Sequence, residues 1–272
     1  MNVLDFQKMK DEGRKISMVT CYDYSSARAV AESSIDCILV GDSVAMTMHG
    51  FSNTLSATTP MMALHTSAVA KGAPSKFIVA DLPFLSYRKG LKEAMDSVHA
   101  VMSAGAHAVK LEGVRGHAEI VRHMIDSGVP VMGHLGLTPQ SVHGLGGMKI
   151  QARTNAAVKI LAAEARELED GGCFALVLEC VPAEAARQVT KLLKIPTIGI
   201  GAGPGVSGQV LVYQDMIGLN PGFKPKFLRM YANAFDVIQA ALNAYDQDVK
   251  SGSFPSDTES YSQIHQINRE AA

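Results

Sequence analysis

FIVADLP (Phe77–Pro83), GLKEAMDSVHAVMSAG (90–105) and HAVKLEG (His107–Gly113) are the stretch that decides how this chain folds. The outer two are short apolar runs and the middle one is Ala-rich and of helical length, so the three read as strand, helix and parallel strand. The same alternation runs outward in both directions. Further strands are predicted at ISMVT (Ile16–Thr20), IDCILVG (Ile35–Gly41), VPVMGHLG (Val129–Gly136), FALVLECV (Phe174–Val181), PTIGIG (Pro196–Gly201) and QVLVYQ (Gln209–Gln214). Further helices are predicted at TTPMMALHTSAVAKG (58–72), where Pro60 suits a first turn, GHAEIVRHMIDSG (116–128) and NAAVKILAAEARELEDGG (155–172). Eight strands alternating with helices predict an α/β protein of the closed (β/α)8 TIM-barrel class. The barrel is expected over residues 1–250 as a single domain, ending in a helix over 228–250, with a peripheral polar tail at 251–272.

Size and composition agree with that reading. The chain has 272 residues, within the range of one α/β barrel, and 47% of them are hydrophobic, enough for a large core. Twenty-five Lys and Arg balance 26 Asp and Glu, so no basic surface predicts nucleic acid or anionic lipid as a partner. The start, MNVLDFQKMKDEGRK, carries charges where a signal peptide needs an apolar core, and no run is apolar enough to span a membrane. A cytoplasmic location is expected. Cys21, Cys37, Cys173 and Cys180 form no CxxC pair and read as small buried hydrophobes.

In a parallel barrel all strand C-termini open on one face, which is where active sites are built. Five consecutive predicted strands deliver charge or imidazole there: Asp42 with Ser43, Asp81, Lys110 with Glu112, His134, and Glu179. Each alone could be a helix cap or a solvated carboxylate. Together they are harder to dismiss, because Lys110 and Glu112 share one strand face and Asp81 interrupts an apolar run where an unpaired charge is costly. Asp42, Asp81 and Glu112 offer hard oxygen donors with no Cys nearby, which favours Mg²⁺ over zinc. A cation there could chelate a 2-oxo acid and stabilise its enolate, with Lys110 neutralising a carboxylate and Glu179 free to act as base. Residue chemistry alone thus predicts metal-assisted enolisation. Two long connections, Ser43–Thr59 and Leu137–Thr154, are expected to form lids or binding loops. The run GIGAGPG (Gly199–Gly205) fits either a phosphate-binding turn or simple close packing.

The rim segments resemble those of the ketopantoate hydroxymethyltransferase family. They are Val40-Gly41-Asp42-Ser43, Ala80-Asp81-Leu82-Pro83-Phe84, Val109-Lys110-Leu111-Glu112-Gly113, Gly133-His134-Leu135-Gly136-Leu137-Thr138-Pro139-Gln140, Leu178-Glu179-Cys180-Val181-Pro182 and Ile198-Gly199-Ile200-Gly201-Ala202-Gly203. Order and spacing agree from about Thr20 to Pro225. The resemblance implies transfer of a hydroxymethyl group from 5,10-methylenetetrahydrofolate, as co-substrate, to 3-methyl-2-oxobutanoate through a Mg²⁺-stabilised enolate, giving 2-dehydropantoate on the route to pantothenate. It implies Asp42, Asp81 and Glu112 as metal ligands, Asp42, Ser43, Asp81 and Lys110 as keto-acid contacts, Glu179 as proton acceptor and His134 as an active-site histidine. It also implies a large homo-oligomer, commonly a decamer. The chain departs from the family pattern in VAMTMHGFSNTLSATTPMM (44–62), at His143 and at Val206-Ser207, which bears on folate contacts and lids. Other readings are a Mg²⁺-dependent lyase or mutase of the isocitrate lyase and phosphoenolpyruvate mutase type, which in the lyases requires a loop cysteine, a non-catalytic keto-acid binder, and a phosphosugar barrel.

Overall fold

The computed structural model of the chain describes residues 1–222 and 224–261. In chain order the elements are α1 (Val3–Asp11), β1 (Ile16–Thr20), α2 (Tyr24–Ala31), β2 (Cys37–Val40), α3 (Val44–Thr47), α4 (Thr59–Gly72), β3 (Phe77–Asp81), α5 (Leu91–Ser103) and β4 (Ala108–Glu112). There follow α6 (Ala118–Asp126), β5 (Val131–Gly136), α7 (Asn155–Asp170), β6 (Ala175–Glu179), α8 (Ala183–Leu192), β7 (Thr197–Ile200), β8 (Gly208–Leu211), α9 (Tyr213–Met216) and α10 (Ala234–Ser251). The strands pair in parallel and in sequence order, and β8 returns to β1, closing the barrel. The (β/α)8 expectation therefore holds.

Two apolar layers hold this wall, as a closed sheet requires. Met18, Leu39, Val79, Met132, Val177, Ile198 and Val210 fill the barrel, while Val40, Ala80, Leu111 and Leu178 turn outward onto helices that bring Met62, Val69, Val98, Met124, Leu161 and Leu168. At the N-terminal end α1 acts as a plug. Its Phe6 is fully buried and meets Phe77 and Phe174 edge-on, at centroid distances of 5.3 and 5.2 Å. The helix starts cleanly because the Asn2 side chain accepts from Leu4 N while the Asp5 side chain accepts from Asn2 N, a reciprocal cap. Pro60 stands in the first turn of α4 as expected, with Thr58 accepting from Met61 N.

Several bounds differ from the sequence reading. The β8 strand stops at Leu211, and the expected Gln209–Gln214 run bends into α9 at Tyr213, whose amide donates to Thr20 Oγ1 at 3.0 Å. The last helix begins at Ala234 instead of Leu228, since 228–233 form no regular element. No helix separates β7 from β8. Instead the chain runs back down through Val206-Ser207, where the Ser207 hydroxyl accepts from Thr197 N at 3.2 Å. The seam is tight: a Cβ on Gly208 would lie 2.4 Å from the Ile16 carbonyl oxygen, so only glycine lets β8 approach β1 this closely. Helix α10 has no buried residue. Residues 252–261 of the expected tail are exposed, and 262–272 lie outside the described residues. Among the described residues no helix is long and apolar enough to cross a membrane.

Candidate active site at the barrel mouth

Strand register places the predicted residues side by side. Asp81 pairs with Lys110 across β3 and β4, Glu112 with His134 across β4 and β5, and Gly136 with Glu179 across β5 and β6. Asp42 follows β2, and its backbone N–H donates to Asp81 Oδ2 at 3.0 Å. Lys110 Nζ lies 2.8 Å from Asp81 Oδ1 and 3.4 Å from His134 Nδ1. His134 sits between two carboxylates, with Nδ1 3.4 Å from Glu112 Oε1 and Nε2 3.2 Å from Glu179 Oε2. Gly136 makes the last neighbourhood possible, because its φ is +94° and a Cβ there would lie 2.2 Å from the Glu179 carbonyl oxygen.

Burial grades the group. Asp42, Asp81, Lys110, Glu112 and His134 are all buried, whereas the Glu179 side chain keeps 18% of its surface. Desolvation, reinforced by the charges of Asp81 and Glu112, holds Asp42 well above the usual carboxylate range. Burial works against the Lys110 ammonium, but Asp81, Glu112 and Asp42 outweigh it and push its pKa up. Burial and Lys110 likewise oppose a charge on His134, yet Glu112 and Glu179 prevail and raise it to about 9. At neutral pH the imidazole is therefore cationic.

Two residues that carry no periodic signal in the sequence tie the cluster together. Gln140, in the 3-10 turn Pro139–Ser141 after β5, donates from Nε2 to Asp42 Oδ2 at 2.9 Å and to the Leu82 carbonyl at 3.0 Å. Its backbone N–H donates to Glu112 Oε2 at 2.9 Å. Tyr87, fully enclosed, donates its hydroxyl to Gln140 Oε1 at 2.8 Å and accepts from Glu112 N at 3.2 Å. Gln140 thus holds two of the predicted metal ligands at once. Ser43 is held in the same manner, its Oγ 2.7 Å from the hydroxyl of buried Tyr22.

Among the described residues no three His, Cys, Asp or Glu side chains already form a metal cage. The donor chemistry nevertheless suits magnesium, which uses one or two carboxylates and fills its shell with water and substrate. Within the charged cluster two buried atoms also lack an aligned hydrogen-bond partner: Asp81 Oδ1, with Lys110 near but out of line, and His134 Nε2, likewise beside Glu179. Unsatisfied buried atoms of opposite preference mark a place for a polar, charged ligand.

The remaining candidates sort differently. In the glycine run, a Cβ on Gly203 would lie 2.4 Å from Ala183 Cβ, and no helix follows that turn, so the run serves close packing. Val206-Ser207 lies at the plugged end of the barrel beside Ile16, away from the mouth. His143 is exposed on the loop after β5. Cys21, Cys37 and Cys173 are buried as expected, but Cys180 is partly exposed, takes φ +46° and has its thiol pushed up to about 11 by burial and the Glu179 charge.

The fold has many relatives of low identity. A 2,3-dimethylmalate lyase, described as a PEP mutase/isocitrate lyase superfamily member, superposes with TM-score 0.59 at 16% identity over 96% of this chain and 92% of its own. A phosphonopyruvate hydrolase, solved with oxalate and Mg²⁺, gives TM-score 0.61 at 12% identity over 96% and 92%. Sequence similarity is far more specific. A 3-methyl-2-oxobutanoate hydroxymethyltransferase of Bdellovibrio bacteriovorus is 59% identical over 96% of this chain and 99% of its own. One from Coxiella burnetii is 55% identical over 94% and 96%. The profile of the family described as ketopantoate hydroxymethyltransferase matches residues 1–257. With the rim residues in order around a closed barrel, this chain belongs to the ketopantoate hydroxymethyltransferase family.

Proposed function

We propose that the chain transfers a hydroxymethyl group from 5,10-methylenetetrahydrofolate to 3-methyl-2-oxobutanoate, giving 2-dehydropantoate, with Glu179 as the proton acceptor. The relatives' names give the keto acid and the hydroxymethyl group, and the folate donor is what the family resemblance implies. The observation that carries the residue assignment is the grading of the mouth, where Glu179 alone among the rim carboxylates reaches solvent above a buried charged floor. In this reading Lys110 neutralises the substrate carboxylate, while Ser43 and the Asp42–Asp81 pair position the keto acid. Asp42, Asp81 and Glu112 would hold Mg²⁺, which when bound supplies positive charge that stabilises an enolate of the 2-oxo acid. Glu179 takes the proton from C3, its Oε2 lying 3.2 Å from His134 Nε2. The new carbon–carbon bond then forms between C3 and the methylene carbon of the folate, water supplies the hydroxyl, and the carbon–nitrogen bonds to that carbon break to release tetrahydrofolate. Exposed apolar side chains ring the mouth, among them Met46, Met48 and Phe51 after β2, Phe84 after β3 and Met148 after β5, and they suit a flat folate ring.

The lyase or mutase reading is weaker. It shares the fold, but the one partly exposed thiol, Cys180, is held protonated beside Glu179. We also propose a cytoplasmic homo-oligomer. Phe235, Ile238, Leu242, Tyr245 and Val249 repeat at alternating three- and four-residue steps along α10 and are all exposed, a stripe suited to a second copy of the chain.

Exchange of the C3 proton in D₂O, with Mg²⁺ and keto acid but no folate, tests the assignment by proton NMR. Wild type should wash the methine signal out, and Glu179→Gln should slow this by about 10²- to 10⁴-fold while binding persists. Exchange at the wild-type rate in Glu179→Gln would remove Glu179 from the role.

A further inference from the structure

His49 lies in the connection between α3 and α4, and His65 lies on α4. Neither belongs to the charged floor. Their Nε2 atoms face one another at 2.9 Å, with ring centroids 5.2 Å apart and planes at 83°. His65 Nδ1 is 2.6 Å from the carbonyl oxygen of Tyr22. A carbonyl only accepts, so Nδ1 carries the hydrogen and Nε2 presents its lone pair. His49 Nε2 therefore supplies the hydrogen between the rings. A backbone carbonyl gripping the far nitrogen is also how metal-binding imidazoles are oriented. Moving the His49 hydrogen to its own Nδ1 leaves two lone pairs converging on one point.

We propose that His49 and His65 form a cation site separate from the carboxylate cluster, which takes a borderline transition ion such as Zn²⁺ and ties the loop after α3 to α4. Two imidazole nitrogens without hard oxygen donors select Zn²⁺, Ni²⁺ or Cu²⁺ over Mg²⁺. Two zinc–nitrogen bonds of about 2.0–2.1 Å at a tetrahedral angle span roughly 3.3 Å, so the rings need part by only about 0.4 Å. His49 is exposed on a loop and can move that far. Among the described residues no third His, Cys, Asp or Glu side chain joins them, so water completes the shell. Tyr22 gives the site its reach, because its carbonyl holds His65 while its hydroxyl meets Ser43 Oγ at 2.7 Å. A bound ion would fasten the loop at His49 as Tyr22 already fastens its start at Ser43. None of this depends on the reaction assigned above.

Calorimetric titration with Zn²⁺ in saturating Mg²⁺ tests the site, using wild type, His49→Gln and Asp81→Asn. Wild type and Asp81→Asn should share one binding event that His49→Gln weakens by at least about 10-fold, the least that loss of an orienting partner costs a metal ligand. Amide hydrogen exchange over residues 44–58 should slow with Zn²⁺ in wild type and not in His49→Gln. The proposal is overturned if His49→Gln titrates like wild type, if Asp81→Asn loses the event, which would place the ion in the carboxylate cluster, or if zinc leaves exchange over 44–58 unchanged.

Discussion

Raising the pH in the absence of metal removes one of the two ring protons that His134 turns toward Glu112 and Glu179, and the barrel should weaken as it goes. The imidazole titrates near 6.5 in an unfolded chain and near about 9 when folded. The folded state therefore holds this proton more tightly. Its contribution is complete below about pH 6.5 and disappears as pH climbs to about 9. At roughly 1.4 kcal/mol per pKa unit the difference amounts to about 3 kcal/mol. That figure is a ceiling, because His134 Nε2–H is out of line with Glu179 and the pair gains Coulombic attraction without a full hydrogen bond. Urea unfolding of wild type and His134→Gln in chelator, at fixed protein concentration, measures it. Between these pH values wild type should lose up to about 3 kcal/mol more than the variant, which has no proton to lose. Parallel losses in the two proteins would show that His134 is neutral in the fold and refute the reasoning.

Gln140→Leu should destabilise the chain by at least about 2 kcal/mol, since the Leu82 carbonyl, Asp42 and Tyr87 each lose a buried partner. The same variant should bind Mg²⁺ about 10- to 100-fold more weakly, measured by calorimetry, and unchanged affinity would deny it an orienting role. Asp81→Ala should weaken Mg²⁺ and keto acid together, whereas keto-acid affinity at the wild-type value with Mg²⁺ present would separate Asp81 from both. A chain ending at Asn233 should sediment as a smaller species than the full chain, and identical sedimentation would remove α10 from the assembly.

The barrel was legible because its two periodic signals, apolar strand runs and helical stretches, do not depend on distant partners. The rim was legible for a related reason: parallel strands open their C-termini on one face, so Asp42, Asp81, Lys110, Glu112, His134 and Glu179 could be gathered from strand ends alone. Gln140 was not, because a glutamine in a turn has no pattern, and its partner Asp42 stands 98 residues away. The end of β8 is not legible because Leu211, Val212 and Tyr213 favour a strand locally, while the Thr20 hydroxyl draws the Tyr213 amide into a turn. The start of α10 carries no capping signal, and Asn233 makes no side-chain cap there.

The glycine seam between β8 and β1 also sets a timetable for the growing chain. Gly208 reaches its place against Ile16 only after about 190 further residues have been made, which at roughly 5–20 residues per second takes about 10–40 s. Throughout that interval β1 is an unpaired edge, open to pairing with any neighbouring nascent chain. A methyl group at Gly208 would therefore do more than crowd the finished protein. It would leave the edge open after synthesis ends, and Gly208→Ala should appear first as poor soluble yield in the cell.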